Sequence, residues 1–177
     1  MFEGPLPGGT IDILDTLSFD KPDDPDHTAD PRTLLIDWLG WQRQTFVRKL
    51  RDLDRGGIAA MAVAPLELSI IGLVRHMTQM EHVYLAWGLG GGDRVMVYGD
   101  DDFAGGSPET VDEDMAVYLA EVAAADRSLA SLATLESPGA GHGRSLGATL
   151  IKMVQEYAVH NGQAHMLRYA ALGEIRR

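Results

Sequence analysis

Apolar residues recur every three or four positions along most of this chain, the period of helices that pack by one face. Leu35, Trp38, Leu39, Phe46, Leu50 and Leu53 trace the first stripe, with polar interruptions at Gln42 and Lys49. Asp30 followed by Pro31 supplies a capping carboxylate and a proline for the first helical position, so a helix is predicted from Arg32 to about Asp52. Gly56-Gly57 and Pro65 mark a connection. Ser69 then caps a second helix through Ile70, Leu73, Val74, Met77, Met80, Val83, Tyr84 and Trp87, which the glycine-rich residues 88–92 end. Ser107-Pro108-Glu109 opens a third helix, carried by Val117, Leu119, Val122, Leu129 and Leu132 to about Leu135, with acidic residues crowding the end that the helix dipole makes positive. After Ser137-Pro138-Gly139, a fourth runs from near Ser145 through Leu150, Val154, Tyr157 and Leu167 to Gly173. Strand-like alternation is confined to Arg94-Val95-Met96-Val97-Tyr98.

The segment 88–108 is too long for a hairpin between neighbouring helices and suits a crossover running the length of a bundle between antiparallel ends. Connections that are short, long and short predict an all-α four-helix bundle with one long crossover. Residues 1–29, with Gly4-Pro5-Leu6-Pro7-Gly8-Gly9 and Lys21-Pro22-Asp23-Asp24-Pro25, read as an irregular acidic N-terminal arm, and residues 30–177 as the bundle domain.

Charge changes this picture only locally. The net −11 resolves into −7 from residues 1–30, −7 from residues 93–114 and +3 from everything else. The acidity therefore belongs to the arm and the linker, and both read as solvated surface. No basic stripe offers a footprint for nucleic acid. No apolar run approaches the roughly 18 residues of a membrane span, and the N-terminus lacks a basic leader, so a soluble cytoplasmic protein is expected. With Cys 0, disulfides, thiolate-ligated metals and a cysteine nucleophile are all ruled out, and a metal has to sit on His, Asp or Glu. Gly90-Gly91-Gly92 lacks the Lys-Ser/Thr ending of a phosphate-binding loop.

Six histidines remain to be sorted. At about 100° per residue, Glu156 and His160 lie about 40° and one turn apart, so both reach one point, as half of a metal site or as a hydrogen-bonded pair that stabilises packing. His165 falls about 180° from Glu156 and cannot join them. His76 shares a stripe with Met80, Val83 and Trp87, the face expected to line the interior, whereas His82 is turned about 120° away. His27 and His142, among Gly, Pro and Asp, read as solvated loop residues. Gln163, about 20° from Glu156, is placed to orient a ligand, and Met80 and Trp87 to wall a pocket beside His76.

Two stretches carry a resemblance. Gly72-Leu73-Val74-Arg75-His76-Met77 with Glu81 and Tyr84, and Glu156-Tyr157-Ala158-Val159-His160-Asn161-Gly162-Gln163 with Leu167-Arg168, resemble the signature stretches of the DinB/YfiT-like superfamily. Leu39-Gly40-Trp41-Gln42-Arg43 ahead of Leu50 is similar to the opening of its actinobacterial branch, and the likeness runs from about residue 31 to 172. The resemblance implies a divalent metal held by His76, Glu156 and His160, two histidines and a carboxylate where many relatives have three histidines. Zinc is the expected metal, and nickel, manganese and iron accept the same ligands.

The resemblance further implies a thiol S-transferase that uses a low-molecular-weight thiol, mycothiol, as cosubstrate on an electrophile that the sequence does not specify. Two other readings stand beside it: a metal-dependent hydrolase, and a non-catalytic metal-binding bundle of the stress response. A homodimer is expected, because Met115 and Tyr118 on the third helix add apolar positions beyond one core stripe.

Overall fold

The computed structural model describes residues 12–99 and 102–174. Four long helices form the bundle: α1 (Pro31–Val47), α2 (residues 70–90), α3 (Val111–Ala130) and α4 (Leu146–Ala171). The all-α expectation holds, and no strand forms among the described residues. The segment 94–98, the one strand-like stretch, is irregular.

Local capping chemistry sets the helix starts. Asp30 accepts the backbone N–H groups of Arg32 and Thr33 with Pro31 at the first turn, Ser69 accepts that of Gly72, and Ser145 that of Ala148. Gly91, at φ 80, takes a positive-φ conformation that favours glycine and closes α2. The third helix is shorter than expected. Ser107-Pro108-Glu109 forms a preceding turn, in which Thr110 accepts the Ser107 N–H, and residues 131–135 leave the helix. A short helix, Arg55–Ala59, stands where Gly56-Gly57 signals a break; Asp54 accepts from Gly57 and caps it.

Helix directions follow from side-chain pairings. Arg75 with Asp114 and His82 with Glu121 show α2 and α3 running parallel, while His76 with His160 and Glu81 with Tyr157 show α2 and α4 antiparallel. The crossover therefore returns along the whole of α2 before α3 begins. Residues 12–26 are more ordered than an extended arm. Asp12 caps a 3-10 turn (Ile13–Thr16), Ile13, Leu14, Leu17 and Phe19 pack on the core, and Pro22 and Pro25 are buried. Gly4 to Gly9 lie outside the described residues.

The core line of α2 is Leu73, Val74, Met77, Leu85 and Leu89, with a carboxylate, Glu81, fully buried among them. The expected interior stripe of Met80, Val83 and Trp87 is only half-buried. One cause is a change of helix type: residues Glu81–Ala86 wind as a π-helix, and each wider turn rotates the later side chains away from the 3.6-residue register. Glu81 is held by four-helix contacts. Arg43 of α1 grips both its oxygens at 2.8 and 2.6 Å, the Tyr157 hydroxyl of α4 donates to it at 2.6 Å, and Tyr118 of α3 meets Tyr157 at 3.0 Å. Met115 and Tyr118 are buried in this core, so the surface on which a dimer was expected is not on the outside of α3.

His142 is no solvated loop residue. Its Nδ1 accepts the Arg144 N–H, so Nε2 donates to the Tyr84 carbonyl in the π-turn, fastening the α3–α4 loop to α2.

Candidate metal centre

Two helices running in opposite directions bring together the three residues expected to share a metal. Glu156 and His160 stand one turn apart on α4, and His76 projects from the flank of the α2 core stripe to meet them. One ligating atom from each of the three lies within 4.8 Å of the other two. The rings of His76 and His160 are 4.6 Å apart and steeply inclined, and His160 Nε2 lies 3.4 Å from Glu156 Oε2. Nitrogen and oxygen donors at about 2 Å from one tetrahedral ion stand about 3.3 Å from each other, so that pair is already at ligand spacing.

Hydrogen bonding prepares both imidazoles in the same way. His160 Nδ1 donates to Gln163 Oε1 at 2.7 Å, and His76 Nδ1 donates to Asp102 Oδ2 at 2.8 Å. With each Nδ1 committed, each Nε2 keeps its lone pair for a cation, the arrangement that fixes tautomer and ring orientation in metal sites. Burial pushes His76 below the ordinary histidine value, Asp102 pulling the other way, so the ring is neutral at pH 7. Burial alone would raise the Glu156 carboxyl. The Lys152 ammonium at Oε1 outweighs it, by hydrogen bond and by charge, and holds the group ionised. Glu156 thus turns one oxygen to Lys152 and the other to His160. Two imidazoles and one carboxylate fit a divalent cation of the zinc class.

Asp102 is the residue that sequence reasoning missed, since it falls in a run read as solvated acidic linker. Its neighbour Phe103 stacks on His76 with centroids 4.1 Å apart and planes at 17°, screening the cluster from water. The signal lay in α2. A Cβ on Gly72 would stand 2.3 Å from the Phe103 carbonyl oxygen, so glycine there is what lets the crossover lie flat on the helix. Gln79 completes the seating, its Oε1 accepting the N–H groups of Val97 and Tyr98. Asp114, also counted as linker acidity, is buried against Arg75.

The remaining candidates are distributed away from the cluster. His82 pairs with Glu121, exposed His165 lies edge-on to Tyr169, and His27 sits near Trp38. Trp87 lies about 15 Å further along α2 from His76, donating to the Gly92 carbonyl and packing on His142, and so does not wall the site. Met80 is half-buried against the core, one turn from His76.

Asp102→Ala is expected to weaken zinc binding by about 10–100-fold, because the His76 ring loses its tautomer and its restraint. Competition with a chelator reads this directly, and an unchanged affinity would remove Asp102 from the site.

The family model described as Mycothiol-S-transferase matches residues 34–173, from the first turn of α1 to the end of the turn that closes α4. Comparison with curated proteins returns no match. Since the matched span takes in all four bundle helices together with the crossover that closes over His76, the chain belongs to the DinB-like mycothiol S-transferase family.

Proposed function

We propose that this chain transfers the sulfur of mycothiol to a small electrophile, with His76, Glu156 and His160 holding the divalent metal, zinc foremost. The observation that supports this reading best is the pair of imidazoles tied back through Nδ1 within a chain matched by the transferase family. A divalent cation there supplies Lewis acidity, lowering the pKa of a coordinated thiol from about 8.5 so that the thiolate persists at neutral pH.

The chain's own residues do the rest. Asp102 and Gln163 hold the two rings in register, Phe103 excludes water from one side, and Lys152 keeps Glu156 ionised. In the transfer a sulfur–carbon bond forms as the bond to the leaving group breaks. The leaving group departs with its bonding pair, and the thiol proton passes to water. With Cys 0 in the chain, the sulfur comes from the cosubstrate. No helix among the described residues is long and apolar enough to cross a membrane, and the reading sets the reaction in the cytoplasm, where thiols stay reduced.

Zinc-loaded protein with mycothiol and chlorodinitrobenzene is expected to form the conjugate at least about tenfold faster than the uncatalysed reaction, with the pH dependence of a bound thiol rather than a free one. Background rates across a panel of electrophiles, together with turnover of esters or amides by water alone, would replace the transferase by a hydrolase. Thiol binding without turnover of either kind would leave a metal-binding bundle.

A further inference from the structure

Next to the His–Glu–His cluster, α4 faces the segment that leads into α2 across a groove of about 420 Å³. Val63, Leu66 and Leu68 form one wall and Val159, Gln163 and Met166 the other, and among the described residues no charged side chain lines it, in a chain of which 23% is charged. Leu66, Val159 and Met166 are each more than half exposed. Apolar side chains left in water at one concave place mark a binding surface, and this volume lies in the range of small-molecule sites.

Gln163 couples the groove to the cluster. Gln163 accepts the Nδ1–H of His160 and also forms part of the groove wall, so whatever fills the groove lies against the residue that orients a metal ligand.

We infer that this groove is the subsite for the second substrate, an uncharged and mainly apolar electrophile. That the occupant is an electrophile rests on the thiol-transfer reading, whereas its apolar character rests on the lining alone. Along a homologous series of alkyl electrophiles, each added methylene buried in the groove should then tighten binding about three- to fourfold.

Gly162 provides the test. It lines the groove from within α4, and a Cβ placed there meets no atom within 4 Å, so Gly162→Leu fills the space while suiting the helix. Val159→Asp, at a position 53% exposed, puts a charge on the wall without touching the core. The probe is N-phenyl-1-naphthylamine, an uncharged apolar fluorophore, titrated into zinc-loaded protein with zinc content and mycothiol binding measured alongside. One probe per wild-type chain is expected, weakened at least tenfold in both variants, with zinc content and mycothiol affinity unchanged. Equal probe binding by wild type and both variants overturns the inference. So does a wild type that sediments as a dimer and variants that sediment as monomers, because the groove would then be a contact between copies. If the probe binds wild type and is weakened in both variants as expected, but no electrophile is ever conjugated to mycothiol, the apolar subsite stands and the transferase reading falls.

Discussion

Replacing His160 with alanine is expected to lower zinc affinity by more than about 100-fold, and His76→Ala to do the same, with both variants remaining helical. Losing a partner that merely orients a ligand costs about 10–100-fold, and losing the ligand itself removes a direct bond as well. His160→Ala also leaves the Gln163 amide without the N–H it accepts. Helicity is retained because neither imidazole is part of the apolar core, and α4 is held elsewhere by Leu150, Met153, Tyr157, Ala164 and Leu167. Chelator competition and far-ultraviolet circular dichroism together read the result. His165→Ala is the control, since its exposed ring lies edge-on to Tyr169 and should leave affinity unchanged. Full zinc occupancy in either variant would take that histidine out of the site.

The second large effect lies in the bundle interior. Arg43→Ala is expected to destabilise the protein by about 3–5 kcal/mol, because Glu81 is left as a carboxylate with no exposure to solvent and no counter-charge. Burial by itself would depress the Arg43 guanidinium. The Glu81 carboxylate more than reverses this and holds it well above the ordinary arginine value. Removing both charges together, as Arg43→Met with Glu81→Met, should recover most of the loss, since the desolvation cost of the pair disappears with it. Urea unfolding of Arg43→Met, Glu81→Met and the double variant closes the cycle. A loss under about 1 kcal/mol in Arg43→Ala would show that solvent reaches Glu81.

This ion pair also shows where reading along the chain stops. Arg43 and Glu81 both stood in the stretches that carried the family resemblance, yet nothing near either residue indicated that they meet across 38 positions. The same holds for Tyr157, which adjoins Glu156 but points to Glu81 rather than to the metal ligands. One network ties all four helices together and, through the Glu156–Tyr157 step, fixes the rotation of α4 that presents Glu156 and His160 to His76.

What the sequence determined by itself lay within about one helical turn. Asp30 with Pro31, Ser69 and Ser145 start their helices because a capping oxygen acts on N–H groups two or three residues away, and Glu156 and His160 face one point because four residues make one turn. The bundle and its single crossover were legible for the same reason, since apolar period and linker length are local properties. Tertiary structure alone decided the rest. Asp102 became the hydrogen-bond partner of His76 and Phe103 its cover only because Gly72 lets the crossover lie on α2. His142 became a fastener only because the π-turn offers the Tyr84 carbonyl, and Glu81 became tolerable in the core only because Arg43 arrives from another helix. Each depends on desolvation and on partners tens of residues away, quantities that come into existence when the helices pack.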